Sequence, residues 1–185
     1  MSKNNKSMLK ILLLGEKLVG KTSLAYRYIN GKYICDLKTT IGEDQFTKAL
    51  TPNGTLVSLQ TLDTTGLVLH DPKSTAVTPC INLYRSADCC IFVFDVTCRD
   101  SFESLKTRRI EFFMLANKEK PNEFPVAVVG NKIDLESKRK VSKQEAQDWC
   151  KSFSIPYFEC SSKDDINVQQ VFEAMTAKLV DTHKL

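Results

Sequence analysis

The sequence has no apolar run that approaches the roughly 20 residues needed to cross a bilayer. It has two histidines, and none of its seven cysteines forms a C-x-x-C pair or another metal-ligand spacing. Internal repeats and low-complexity segments are absent as well. The missing cysteine pattern argues against a zinc site and a disulfide framework, so we expect a cytoplasmic protein with reduced thiols.

A strong excess of one charge is also missing. The chain carries 26 basic and 22 acidic residues, a net charge of +4, which is too small to indicate a nucleic-acid partner. The basic clusters Arg108-Arg109 and Lys138-Arg139-Lys140 are therefore expected to be solvated surface. With 185 residues, 42% of them apolar, the chain is predicted to form a single domain over residues 1–185.

The chemistry begins with the stretch Gly15 to Thr22, which fits the phosphate-binding pattern G-x-x-x-x-G-K-[ST]. The nearly continuous apolar run from Leu9 to Leu14 predicts a buried strand before it, and the spacing in Thr22 to Ile29 predicts a helix after it. In that setting backbone N–H groups surround the phosphates, Lys21 reaches the β- and γ-phosphates, and the Thr22 hydroxyl ligates Mg²⁺. The alternative is a chance glycine–lysine turn.

Two further segments can sense the γ-phosphate. The residues from Lys32 to Ile41 have no period and predict a loop, which delivers the Thr40 hydroxyl to the Mg²⁺ shell. A predicted hairpin, Glu43 to Leu50 and Thr55 to Leu62, then leads to a D-x-x-G sequence. There Asp63 can bind a Mg²⁺-coordinated water, and the Gly66 N–H can bind the γ-phosphate.

The rest of the chain alternates predicted strands and helices, which indicates an α/β fold with a mostly parallel sheet. An irregular connection is expected from Leu67 to Pro79. The other predicted elements are a short helical stretch at Ile81 to Tyr84, a strand at Cys89 to Val96 with Cys89 and Cys90 buried, a helix capped by Ser101 and running to about Asn117, a strand at Val126 to Gly130, a helix from Ser142 to about Phe153, a strand at Pro156 to Cys160, and a final amphipathic helix that buries Val168, Val171, Phe172, Met175 and Leu179.

The sequence Asn131-Lys132-Ile133-Asp134 follows a predicted strand, at the end where open α/β sheets bind ligands. Guanine has two hydrogen-bond donors on its pairing edge, N1–H and the 2-amino group, and the Asp134 carboxylate can accept hydrogen bonds from both. Adenine does not offer this pair of donors to the carboxylate. Asn131 can tie this segment to the phosphate loop. Lys132 can cover one face of the purine, and Ser161 to Lys163 can cover the other. Alone, the motif is equally compatible with a helix-entry turn.

In this order the motifs resemble those of the Ras superfamily of small GTPases, and within it the Rab family, over essentially the whole chain. Thr39-Thr40-Ile41-Gly42 looks like the Rab form of the first switch. Similarity to the late-endosomal branch is carried by three segments: Cys89 to Thr97, Gly130 to Leu135, and Ile155 to Glu159 followed by Ile166-Asn167-Val168.

The resemblance implies a three-layer P-loop NTPase fold, with a six-stranded, mostly parallel sheet flanked by five helices. It implies a monomeric GTPase that binds GTP or GDP with Mg²⁺ and acts in vesicle traffic, on the cytosolic face of endosomal membranes. The expected partners are effectors that read the GTP form through the two switches, an exchange factor and an activating protein. Tyr33 falls where the family places an aromatic side chain over the guanine edge.

We therefore predict three metal ligands, Thr22, Thr40 and Asp63. The predicted nucleotide contacts are Gly15, Leu18, Val19, Gly20, Lys21, Thr22, Ser23, Tyr33, Thr40, Gly66, Asn131, Lys132, Asp134, Ser161, Ser162 and Lys163.

Several positions depart from the family. Leu67 stands where the family has the glutamine that orients the attacking water. We therefore assign no catalytic residue in place of that glutamine, and we expect Lys21 to stabilise the charge of the phosphates. Lys17 replaces a small residue and either obstructs an activating protein or stabilises γ-phosphate charge. The second switch is longer than in typical Rabs, and His70 within it is interpreted as a solvated loop residue. Effector-facing aromatic residues are replaced by Gln45, Leu62 and Leu83.

These departures leave two functions open. One is a switch that cycles between GTP and GDP with slow hydrolysis, and the other is a hydrolysis-deficient scaffold or long-lived signalling module. A small-molecule kinase is disfavoured by the guanine-reading carboxylate. Since the last cysteine is Cys160, we expect the chain as given not to be prenylated. It would then reach membranes only through a lipidated tail missing from this sequence or through a partner.

Overall fold

The structure is a computed structural model that describes residues 8–33, 43–49, 56–62, 77–118 and 123–183. Within these ranges six strands form one sheet, and five α-helices accompany them. The strands are β1 (Met8–Leu14), β2 (Glu43–Ala49), β3 (Leu56–Leu62), β4 (Cys89–Asp95), β5 (Val126–Asn131) and β6 (Tyr157–Glu159). The helices are α1 (Lys21–Asn30), α2 (Val77–Ser86), α3 (Arg99–Ala116), α4 (Lys143–Lys151) and α5 (Val168–His183). The predicted fold class is confirmed.

The strand order in the sheet is β2-β3-β1-β4-β5-β6. Only β2 runs antiparallel to its neighbour, with Glu43 opposite Leu62, which confirms the predicted hairpin pairing. The other pairs are parallel, so the carboxyl ends of β1, β4, β5 and β6 lie along one edge. The order reverses beside β1, where parallel α/β sheets place their ligand sites.

The alternation of side chains along the central strands builds two cores. On β1, Leu9, Ile11 and Leu13 join a cluster that also contains apolar side chains of α1 and α5. Leu12 and Leu14 point the other way, into a cluster with side chains of α2, α3 and α4. Both faces of the strand are therefore covered, which explains why the sequence of β1 is almost continuously apolar.

Local sequence also accounts for several helix ends. Helix α1 ends at Gly31, whose φ of 65° suits glycine and whose N–H donates to the Arg27 carbonyl. The side chain of Ser142 caps α4 by accepting from the Glu145 N–H. The five apolar residues predicted to face inward from α5 are all buried.

Two boundary predictions are wrong. Helix α2 begins at Val77 rather than near Ile81, so Pro79 lies in its first turn. A proline is tolerated there because the first helical N–H groups have no partner within the helix. Ser101 is the third residue of α3 and not its cap. Its hydroxyl donates to the Cys98 carbonyl and accepts from the Asp95 N–H, so it joins the helix to the end of β4.

The basic clusters are not simply solvated. Arg139 has 15% side-chain exposure and binds Glu136 and Glu159. Arg109 stacks 4.2 Å from the centre of the Phe153 ring, and burial lowers the pKa of its guanidinium. Burial also raises the pKa of the Cys89 and Cys90 thiols, which lie in the sheet as predicted. Among the described helices, none is long and apolar enough to cross a membrane.

Candidate nucleotide-binding site

Three sequence motifs and the end of β4 meet at the carboxyl edge of the sheet. The phosphate loop follows β1, Asp95 ends β4, and Asn131 ends β5 directly opposite Asp95 in the strand register. The segment that starts at Ser161 follows β6. Motifs that are distant in sequence thus become neighbours because parallel strands deliver their carboxyl ends to the same edge.

Close packing explains the two glycines of the phosphate loop. A Cβ at Gly15 would collide with the Val93 carbonyl oxygen of β4. A Cβ at Gly20 would collide with the amide nitrogen of the Asn131 side chain, and the backbone of Gly20 has a φ of 93°. Both positions therefore require glycine. The loop lies close against β4 and β5 and presents backbone to the site.

Lys21 begins α1 and is buried, with 7% exposure. Its Nζ donates to the carbonyl oxygens of Gly15 and Glu16, both at 2.8 Å. The ammonium group is therefore held across the phosphate loop. Thr22 and Ser23 follow in the first turn of α1 and are half-buried. A cation at this helix start and the N–H groups of the first turn favour an anionic ligand.

Asn131 and Lys132 bind the backbone of the phosphate loop. Asn131 Nδ2 donates to the Val19 carbonyl at 2.9 Å, which confirms the predicted tie. Lys132 Nζ donates to the Leu18 carbonyl at 2.6 Å and pairs with Asp95 at 2.7 Å. A short 3₁₀ helix does start at Ile133, as the helix-entry alternative supposed. These long-range contacts show that the segment also organises the loop.

The two middle loop residues differ in exposure. Val19 is buried with 1% exposure, whereas Leu18 is 72% exposed and has a φ of 63°. Left-handed backbone is costly for a branched side chain. The conformation places the Leu18 carbonyl where Lys132 binds it.

Most of the residues predicted to recognise the base line one cavity of about 380 Å³, whereas Ser161 does not line it. Ser161 Oγ donates to Asp134 Oδ1 at 2.8 Å, which orients the carboxylate. Ser162 donates from its N–H and hydroxyl to Asn131 Oδ1, at 3.3 and 3.1 Å. Tyr33, with 37% exposure, also lines the cavity. The cavity is lined by Gly20, Ser23, Tyr33, Asn131, Lys132, Asp134, Leu135, Ser162 and Lys163.

Three residues of this region were missed from sequence. Arg27 of α1 donates to the Ser162 carbonyl at 2.9 Å and the Lys163 carbonyl at 2.6 Å. Asp95 binds Lys132, and Leu135 lines the cavity. Only Asp95 had a usable signal, an aspartate at the end of a central strand. Arg27 had none, because its partners are backbone atoms far along the chain.

The described residues do not include the predicted γ-phosphate sensors. Thr40, Asp63, Gly66 and Leu67 lie outside them, as does His70. Their predicted roles stay predictions.

Comparisons with known proteins agree with this geometry. The sequence model of the Ras family matches residues 10–181. The chain is 41% identical over 182 residues to the Ras-related protein Rab7 of Drosophila melanogaster, covering 98% of the chain and 84% of that protein. It is 45% identical over 176 residues to the Ypt/Rab-type GTPase YPT7 of Saccharomyces cerevisiae, covering 94% and 82%.

The chain therefore belongs to the Ras family. Its similarity to Rab7 and YPT7 over nearly the full length makes it a Rab-type small GTPase of the late-endosomal branch, as the sequence predicted. It follows that the chain is a GTP-hydrolysing switch of vesicle traffic. Membership in this family favours the switch over the hydrolysis-deficient scaffold.

Proposed function

We propose that the chain selects guanine nucleotides through Asp134, holds their phosphates in the loop from Gly15 to Thr22, and hydrolyses GTP slowly. The observation that carries this proposal is the convergence at one sheet edge. The cavity lined by Asp134 adjoins the phosphate loop, and Asn131 and Lys132 connect the two through bonds to loop carbonyls. A base and its phosphates can therefore be bound by one connected set of residues.

Guanine recognition rests on one oriented carboxylate. Ser161 binds one oxygen of Asp134, and a carboxylate oxygen has a second lone pair, so both oxygens remain able to accept from the base. Adenine would leave this acceptor facing another acceptor. The expected discrimination is large because a partly buried carboxylate would lose its partners.

The residues present fit Mg²⁺ bound together with the nucleotide. Mg²⁺ prefers hard oxygen ligands and uses few protein groups beside phosphate and water. Thr22 supplies a hydroxyl in the first turn of α1, next to the glycine cradle that a Cβ would fill. Asp63 and Thr40 would complete the set. When bound, Mg²⁺ supplies neutralisation of charge on the β- and γ-phosphates.

Slow hydrolysis follows from Leu67. An apolar side chain cannot accept or donate a hydrogen bond to the attacking water, so that water is oriented by backbone groups and Thr40 alone. Lys17 is exposed at the loop, where its stem would obstruct an arginine supplied by an activating protein. Lysine also lacks the bidentate fork that suits a phosphoryl group.

Proteins of this family act with effectors, exchange factors and activating proteins. We propose the same classes of partner for this chain, engaged through the two switches while the protein is monomeric, and a working position on the cytosolic face of endosomal membranes. Similarity to Rab7 and YPT7 supports the proposal. The individual effectors are expected to differ from those of typical Rabs, because Gln45, Leu62 and Leu83 replace the aromatic residues at the effector-facing positions.

The test is competition binding. Purified chain loaded with fluorescent GDP in Mg²⁺ buffer should release it to excess GTP or GDP and retain it against excess ATP. Removal of Mg²⁺ with a chelator should accelerate release. ATP competing as well as GTP would contradict the proposed specificity.

Arg27→Met should accelerate GDP release by about 3- to 10-fold, because the guanidinium holds the segment that covers the base. The wild-type side chain donates to both the Ser162 and Lys163 carbonyls. Stopped-flow release of fluorescent GDP measures the effect. Arg85→Met, at an exposed arginine of α2, is the matched control and should release GDP at the wild-type rate. Equal release by both variants and wild type would refute the role of Arg27.

A further inference from the structure

An ion-pair network joins α3 to the phosphate loop. Arg108 of α3 donates from Nη2 and Nε to Glu16 Oε1, at 3.2 and 3.4 Å. Its Nη1 donates to Glu111 Oε2 at 3.1 Å, one turn further along α3. Glu16 directly follows Gly15, so this guanidinium reaches the loop at its first variable position. The phosphate loop is thereby attached to α3, a helix that contains none of the predicted nucleotide contacts.

The network is sheltered from solvent. The side-chain exposure is 16% for Arg108, 28% for Glu16 and 24% for Glu111. Sheltered pairs are less screened by salt than exposed ones, and the two carboxylates restrict the guanidinium to one orientation. The Arg108–Glu16 pair should therefore hold the loop more firmly than an exposed pair would.

Glu16 also connects this network to the loop lysine. Its backbone carbonyl accepts from Lys21 Nζ at 2.8 Å, while its carboxylate binds Arg108. The position of the Glu16 residue thus affects where the Lys21 ammonium lies. A carboxylate in a phosphate-binding loop also opposes an anionic ligand unless a cation neutralises it.

We propose that Arg108 is a positioning residue for the phosphate loop, which it anchors through Glu16 while neutralising the Glu16 carboxylate. This inference rests on the proposed nucleotide binding. Loss of Arg108 leaves the Glu16 charge beside the phosphates and frees the loop from α3. Both changes weaken the hold on the nucleotide.

The experiment measures release of fluorescent GDP from the full chain in Mg²⁺ buffer. Arg108→Met should accelerate release by about fivefold or more, since about fivefold is the upper end of the effects measured for exposed ion pairs, and Arg108→Lys should recover part of the loss. Glu16→Gln removes both the anchor and the charge, so acceleration by about twofold is expected. The double variant should release GDP no faster than Arg108→Met alone, because the two changes act through one contact.

Arg99→Met is the matched control. It breaks a pair on the same helix, Arg99 to Glu145 at 2.7 Å, that does not touch the phosphate loop. Thermal unfolding of both arginine variants separates stability from positioning, since a merely structural role would lower the unfolding midpoint without changing GDP release. Wild-type release by Arg108→Met, or equal acceleration by Arg99→Met, would overturn the inference. Failure of wild type to bind GDP at all would instead overturn the proposed function, and the inference with it.

Discussion

Asp134→Asn is expected to reduce affinity for GDP and GTP by about 10³-fold or more and to create affinity for xanthine nucleotides. The asparagine carbonyl still accepts from the purine N1–H, but its amide donates and now faces the guanine 2-amino group, another donor. Xanthine carries an oxygen at that position, so the mismatch becomes a hydrogen bond. Competition of GDP and XDP for the variant measures the exchange of specificity.

The variant should retain its fold, because the Ser161 hydroxyl can still donate to the remaining carbonyl oxygen at residue 134. Asp164→Asn is the matched control, since Asp164 is exposed on the neighbouring segment and does not line the cavity. It should bind GDP like wild type. Undiminished GDP binding by Asp134→Asn would show that another group recognises guanine.

The second large effect is expected for Leu67→Gln, which should accelerate single-turnover hydrolysis of preloaded GTP by about 10- to 100-fold. The amide supplies the hydrogen-bonding group that orients water for in-line attack, and nucleotide affinity should not change. Leu67→Met is the matched control, because methionine has a similar volume and cannot orient the water. Its rate should equal that of wild type.

Lys17→Gly tests the second proposed cause of slow GTP hydrolysis, obstruction of an activating protein by Lys17. Alone it should change intrinsic hydrolysis little, but it should allow an activating protein to accelerate the Leu67→Gln protein further, since an arginine finger is worth about 10³ to 10⁵ in rate. Loss of intrinsic rate in Lys17→Gly would instead assign its ammonium to γ-phosphate stabilisation. If wild type already hydrolyses GTP as fast as ordinary Rabs and neither Leu67→Gln nor Lys17→Gly accelerates it, slow turnover is wrong and the longer second switch must position the water.

Elements with a regular local pattern were predicted well. The nearly continuous apolar run at Leu9 to Leu14 became a central strand, and the period of α5 identified its buried face. Boundaries failed where a local pattern has two explanations. Pro79 suggested a loop, although a proline in the first helical turn costs no hydrogen bond, and Ser101 suggested a cap although its hydroxyl serves the end of β4.

The sequence by itself determined the motifs, their order and the guanine-reading role proposed for Asp134, because these depend on residue type and short spacing. Only the tertiary structure decided which side chains hold the site together. Arg108 meets Glu16 across 92 residues, and Arg27 meets the Ser162 carbonyl across 135. No local pattern predicts such pairs, because an arginine read in sequence is compatible with solvent, a carboxylate or a backbone carbonyl. The packing of α1 and α3 around the sheet selects the partner.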